Sequence, residues 1–375
     1  MSGMILTKSN IETTPLQRKL NVIGSIFIRH DDIQRAWKVL DWTYHFGFRL
    51  NEASTGYIYG HSRCGKTEVA HRFIESLTGK RPVRGRICDV TGQMRGPVCQ
   101  LIEGNGIKIV YLDLTNGASP LAACQEILKL FRELKPLQRM KQPEATARVI
   151  EVLSFHEVDM LIVDEAQQAF RGHGENAPHA LGEWLLPMEN AKAFKIVLIG
   201  SPELKRLFET VLAARARHGG LAYLKPFDFK TEVDKRLCGA FVEQFHCDMP
   251  FDSTCLCDDK GKVIERRLFD VYFATRGVQG EFPKLCEAAT ISGFERCGRV
   301  PNSLILADFA AGFEYLYHDD VRMKGVNPFA TDDLRDIPSI SLSLKDAEKE
   351  AEKSKIEQSR TRSRRSKARG GRIRD

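Results

Sequence analysis

Long apolar runs are missing from this 375-residue chain. No stretch approaches the ~18 consecutive apolar residues of a membrane span, which excludes a helical membrane protein. Residues 1–14 are polar and lack the apolar core of a signal peptide, so a cytoplasmic protein is expected. Disulfide patterning is missing too: the ten cysteines recur at no repeated spacing, which fits reduced thiols better than a covalent framework. His246, Cys247, Cys255 and Cys257 lie close together, but their spacing matches no familiar zinc module. Charge balance is absent only at one end. Residues 345–375 hold twelve Lys/Arg against six Asp/Glu, so this stretch carries +6 of the net +7 and the other 344 residues sum to +1. Arg360, Arg362, Arg364, Arg365, Lys367, Arg369, Arg372 and Arg374 lie there among Ser and Gly, a composition that builds no core and predicts a disordered basic tail.

What is present is enough hydrophobic residue, 42%, to bury a large core over two or three domains. One stretch organises it. Tyr57-Ile58-Tyr59 reads as a strand, and Val69, Ala70, Phe73, Ile74 and Leu77 recur at the spacing of one helix face. Between them stands Gly60-His61-Ser62-Arg63-Cys64-Gly65-Lys66-Thr67, a complete GxxxxGK[ST] loop. Such a loop curls backbone N–H groups around a phosphate, carries charge from Lys66 to the β- and γ-phosphates, and offers the Thr67 hydroxyl to Mg²⁺. The helix behind it turns its positive end to the anion.

Further strands are expected at residues 107–114, 158–165, 195–201 and 221–227, with helices at 119–134 and 144–155 between the first two. Ser119 followed by Pro120 is a helix start signal. Met160-Leu161-Ile162-Val163-Asp164-Glu165 describes a buried parallel strand that delivers two carboxylates to the sheet edge. In phosphate-loop proteins Asp164 would belong to the Mg²⁺ shell and Glu165 would orient or deprotonate the attacking water. Ser201, after the next strand, is placed to contact the γ-phosphate or that water, and also to cap a helix. Residues 80–106 carry Arg81, Arg84, Arg86 and Arg95 and read as a long loop or hairpin. A helical segment over 14–42 is expected to pack on the nucleotide domain, with Asp31 and Asp32 capping its second part. After Thr231 the alternation stops, and amphipathic helices at 233–245, 268–274, 282–291 and 304–317 predict a small helical domain.

The fold class expected is α/β: a phosphate-loop AAA+ domain with a central five-stranded parallel sheet, followed by a helical lid and the basic tail. The division is an N-terminal helical segment at 1–50, the nucleotide domain at 51–230, the lid at 231–318, and linker plus tail at 319–375. Arg29-His30, the loop from Gly60 to Thr67, the Leu161-to-Ala166 strand, the Val197-to-Ser201 strand and the arginines after it together resemble the TniB/TnsC family of transposition ATPases. That resemblance implies ATP and Mg²⁺ as cofactors, assembly on duplex DNA as rings or helical filaments, recruitment of a target-selection protein and a transposase, and disassembly on hydrolysis. By position it implies nucleotide binding by Lys66 and Thr67, Mg²⁺ and hydrolysis at Asp164 and Glu165, a sensor at Ser201, and an arginine finger at Arg215 or Arg217. It implies DNA contacts near Asn116, Ser119, Lys135, Arg139 and Lys141. Where relatives have Gly-Arg in the lid this chain has Gly280-Glu281, and Lys284 is the substitute cation. A helicase loader or a signalling switch working through protein contacts shares the same nucleotide elements.

Overall fold

The computed structural model describes residues 14–47, 55–83, 98–114, 119–133, 140–170, 177–205, 218–317 and 326–330. After α1 (Pro15–Ser25) and α2 (Asp31–Phe46), the chain runs β1 (Thr55–Gly60), α3 (Lys66–Thr78), β2 (Val98–Gly104), β3 (Ile107–Asp113), α4 (Pro120–Leu130), α5 (Gln142–Phe155), β4 (Met160–Asp164), α6 (Ala177–Ala191), β5 (Lys195–Gly200) and β6 (His218–Leu224). These strands form one sheet in the order β2-β3-β4-β5-β1-β6. β4 is buried at every position, as a strand covered on both faces must be.

Alternate residues feed two cores. Ile58, Ile109, Ile162 and Val197 face α2 and α3, where Ile33, Ala36, Leu40, Val69, Phe73 and Ile74 meet them. Tyr57, Val110, Leu161 and Leu198 face α4, α5 and α6 through Ile127, Val149, Leu153, Leu181 and Trp184. The Ser119 hydroxyl accepts from Ala122 N at 3.2 Å, with Pro120 opening α4, as its sequence predicts.

The five expected parallel strands are β3, β4, β5, β1 and β6, but the sheet has a sixth. β2 adds to the β3 edge antiparallel, turning through Asn105 (φ 53°) and Gly106 (φ 75°). Two successive positive φ values form a type I′ hairpin, for which Asn-Gly is the favoured pair. The Arg/Gly/Pro-rich composition upstream hides this strand; Arg84, Arg86 and Arg95 lie outside the described residues. α6 has no counterpart among the expected elements either, and its Pro187 is a residue that reads as a break.

The second unit holds α7 (Glu232–Asp248), α8 (Glu265–Thr275), α9 (Glu281–Cys297) and α10 (Leu306–Tyr317), with a two-residue parallel ladder of β7 (Ser253–Thr254) on β8 (Ser303–Leu304). Thus Leu304, expected to open the last helix, is a strand residue. Phe241, Phe245, Phe282, Phe309 and Phe313 build this core, and Ile23 of α1 is buried among them. Only α2 of the N-terminal segment packs on the sheet as expected; α1 joins the lid. At α2 the cap position is His30, not an aspartate. Asp32 lies in the first turn, pairs with Arg35 and accepts from Lys225 N at 3.4 Å.

Candidate nucleotide site

β1 ends at Gly60, and α3 starts at Lys66 behind a loop whose Cys64 is buried in the same core as Ile33 and Val69. Lys66 is itself buried, only 6% exposed. Its ammonium donates to the carbonyls of Gly60 (3.0 Å) and His61 (2.7 Å). Two neutral carbonyls only partly offset a buried cation, so the loop interior favours an anion. The His61 ring turns the other way, to Tyr223 OH at 3.1 Å.

Parallel pairing of β3 with β4 sets Asp113 beside Asp164. Asp164, 1% exposed, accepts from Thr67 Oγ1 (2.6 Å) and Tyr111 OH (2.9 Å) on one oxygen and from Glu165 N (2.8 Å) on the other. Burial pushes its carboxyl above the usual range, against those hydrogen bonds. Burial, then Asp164 and Glu165, push Asp113 up to about 7. A cation would relieve that strain, and a hydroxyl with a carboxylate is the hard oxygen set that Mg²⁺ prefers. Among the described residues no three His, Cys, Asp or Glu converge as a metal cage. Mg²⁺ at phosphates needs none, because one or two carboxylates, waters and phosphate oxygens complete its shell. Thr67 and Asp164 therefore fit it.

Glu165 takes a left-handed backbone, φ 53°, uncommon for a residue with a side chain. Its Oε2 accepts from Gln167 Nε2 at 2.7 Å, and Gln167 Oε1 accepts from Ser201 N at 3.0 Å. Gln167, buried, is thus the bridge from Glu165 to the end of β5, and no motif pointed to it. The Ser201 hydroxyl donates to Glu203 at 2.9 Å.

Above the loop lies a cavity of about 670 Å³, within the range of small-molecule sites. Ser62 to Glu68 line its floor; Ile26, Phe27, Ile28 and His30, between α1 and α2, form one wall; Phe241, Phe245, Pro283, Lys284 and Glu287 of the lid form another. Burial against Phe227 and Phe241 holds the His30 imidazole below its usual range. Arg63 joins loop to lid. Arg63, φ 63°, accepts at its carbonyl from Gly280 N (2.9 Å), and its guanidinium pairs with Glu281, whose other oxygen accepts from Tyr317 OH (3.1 Å). A Cβ on Gly280 would stand 2.5 Å from that carbonyl, so no other residue allows the approach.

The site therefore unites Lys66, Thr67, Asp164 and Glu165, brings in Ser201 through its backbone, and sets Lys284 on the facing wall. Ser119 and Lys141 cap α4 and α5 and do not line the cavity. Arg215, Arg217, Asn116, Lys135, Arg139 and the basic tail lie outside the described residues.

A protein-family model described as an AAA domain matches residues 49–208. The match spans less than half of the chain, and over those residues the chain resembles an AAA domain. Compared with curated proteins, its sequence matches none. Among solved structures it is similar to the ORC1 protein of Aeropyrum pernix in complex with DNA, at 15% identity and a TM-score of 0.51, over 81% of this chain and 71% of that one. It is also similar to Cdc6p from Pyrobaculum aerophilum, at 14% identity and a TM-score of 0.50, over 78% of this chain and 69% of that one. At these identities the likeness is one of fold: an AAA+ phosphate-loop domain with a mostly parallel sheet, followed by a helical region. No helix among the described residues is long and apolar enough to cross a membrane.

Proposed function

We propose that this protein is a Mg²⁺-dependent ATPase that assembles on duplex DNA and regulates transposition, linking a target-selection protein to a transposase and leaving DNA on hydrolysis. The observation that carries the ATPase reading is the convergence of Lys66, Thr67, Asp164 and Glu165 beneath one cavity. Lys66 neutralises the β- and γ-phosphates. Thr67 and Asp164 would hold Mg²⁺, which supplies charge neutralisation on the phosphate oxygens. Glu165, steadied by Gln167, orients the attacking water and takes its proton. Lys284 adds charge from the lid, and Arg215 or Arg217 reaches the phosphates of a neighbouring subunit as an arginine finger. The resemblance to TniB/TnsC ATPases supports the transposition role and DNA contacts at Asn116, Ser119, Lys135, Arg139 and Lys141. That a fold-mate is in complex with DNA is consistent with it.

Electron micrographs of the protein with ATP and duplex DNA test this reading. Rings or filaments coating the DNA are expected with wild type, none with Lys66→Ala, and persistent ones with Glu165→Gln, whose amide keeps the shape of the side chain but not the base. Hydrolysis in Glu165→Gln should fall by about 10²- to 10⁴-fold. ATP hydrolysis without any DNA-bound assembly would instead favour a helicase loader or a switch acting through protein contacts.

A further inference from the structure

Glu287 is a carboxylate that the proposed ATPase chemistry leaves unused. Gly280, Pro283, Lys284 and Glu287 all line the cavity, and their i, i+3, i+4, i+7 spacing is one stripe of α9. This stripe has a direction. Its first residue touches the phosphate loop, since Gly280 N donates to the Arg63 carbonyl at 2.9 Å. At 1.5 Å per residue, Glu287 stands about 10 Å further along the helix axis. Lys284 stands between them, a cation nearer the loop that receives phosphate. A nucleotide laid along α9 from the loop therefore meets positive charge at its anionic end and a carboxylate at its nucleoside end.

The surroundings of Glu287 fit a base. Ile26, Phe27 and Phe245 supply apolar wall in the same cavity, the lining that suits a flat ring. One carboxylate oxygen lies 3.1 Å from where a Cβ on Gly24 would be, which places it against the end of α1. No described residue donates a hydrogen bond to Glu287 or forms an ion pair with it. Burial raises its pKa, opposed by the charge of Lys284. A half-buried carboxylate that no described residue satisfies is open to a ligand that brings a donor.

We propose that Glu287 accepts a hydrogen bond from the exocyclic 6-amino group of adenine and is the residue that selects adenine over guanine nucleotides in this cavity. Guanine presents a carbonyl at that position, an acceptor facing an acceptor, and leaves both groups unsatisfied. This inference rests on the cavity being the nucleotide site, and the test separates the two.

Binding of ATP, GTP and 2′-deoxy-ATP to the full-length protein is measured by calorimetry for wild type, Lys66→Ala, Glu287→Ala and Glu287→Gln. One hydrogen bond to a charged acceptor is worth about 10- to 100-fold in affinity. Wild type should prefer ATP to GTP by at least that factor. Glu287→Ala should bind ATP about tenfold more weakly and narrow the preference, and Glu287→Gln, whose amide also donates, should move it further toward GTP. An unchanged ATP-to-GTP ratio in both Glu287 variants, with ATP binding intact and lost in Lys66→Ala, overturns the assignment of Glu287 alone. So does an effect confined to the contrast between ATP and 2′-deoxy-ATP, which would place the carboxylate on the ribose. ATP binding that survives Lys66→Ala undiminished overturns the site itself. Circular dichroism should show both Glu287 variants folded, since each removes an unpartnered charge.

Discussion

Replacing Gln167 with Ala should uncouple ATP binding from its hydrolysis. Gln167 is only 3% exposed and touches the site at two points: its Nε2 donates to Glu165 Oε2 at 2.7 Å, and its Oε1 accepts from Ser201 N at 3.0 Å. It does not line the cavity, whereas Glu165 does. The substitution therefore removes no contact that a nucleotide makes. What it removes is the restraint on Glu165, a hydrogen bond to a charged acceptor worth about 1.5–3 kcal/mol. Released, the carboxylate samples rotamers that do not face the water, and misplacement of a catalytic group by about 1 Å costs on the order of 10²-fold. Supporting residues one layer behind a reacting group cost about 10- to 100-fold when removed. We expect kcat for phosphate release to fall in that range while calorimetric ATP affinity stays within about twofold of wild type. Gln167→Glu, of the same shape, should do worse, because it sets a second carboxylate against Glu165. The reasoning is refuted if Gln167→Ala keeps kcat within about twofold, or loses ATP affinity in step with kcat.

Two further outcomes test the electrostatics around the loop. In a double-mutant cycle of Arg63→Gln and Glu281→Gln, the pair should show a coupling of about 0.5–1 kcal/mol in ATP affinity, modest because the Arg63 side chain is 52% exposed and that of Glu281 17%; strictly additive effects would mean the ion pair does not tie loop to lid. Protonated Asp113, its pKa raised from 3.8 to about 7, contributes stability that is fully present below 3.8 and lost as pH rises through 7. Asp113→Asn should therefore raise the melting temperature of the nucleotide-free protein at pH 8 by ~2–4 °C, on the order of 1 kcal/mol once solvent screening is allowed for, with the gain fading toward pH 4; a difference that does not change with pH counts against the carboxylate cluster.

The phosphate loop and the Asp164-Glu165 strand end are legible in sequence because their chemistry is local. Gly65 and Lys66 need only a strand before them and a helix behind, and the run from Met160 to Val163 needs only a sheet with both faces covered. Ser119-Pro120 is equally local, a cap and the residue it caps. Gln167 is the opposite case. Nothing in its neighbourhood marks it, since its role comes from the parallel pairing of β4 with β5, which carries Glu165 and Ser201 to the same sheet edge. Ile23 likewise reads as one face of a local helix, and only the tertiary fold shows that the face belongs to the lid core. β2 is lost from view because its pairing partner follows it, across an Asn-Gly turn, while the residues before it look like loop. Periodicity finds elements; it does not find which surfaces meet.

Gly280-Glu281, where the resemblance leads one to expect Gly-Arg, makes physical sense when the loop is read with the lid. A lid arginine at that position would face the guanidinium of Arg63, two cations in one contact. Glu281 instead pairs with Arg63 and, at the first position of α9, also meets the positive end of a helix, where an acid is favoured. The cation of this contact thus stands on the loop, and the lid sets Lys284 one turn further on along the cavity. The consequence is mechanical. The Arg63 carbonyl, held by Gly280 N, belongs to the same peptide unit as the amide of Cys64, so the loop that curls around an anion and the helix that covers it are joined through one rigid plane. A change in the loop's conformation on binding phosphate must either carry α9 with it or break that bond, and the salt bridge from Glu281 favours carrying it.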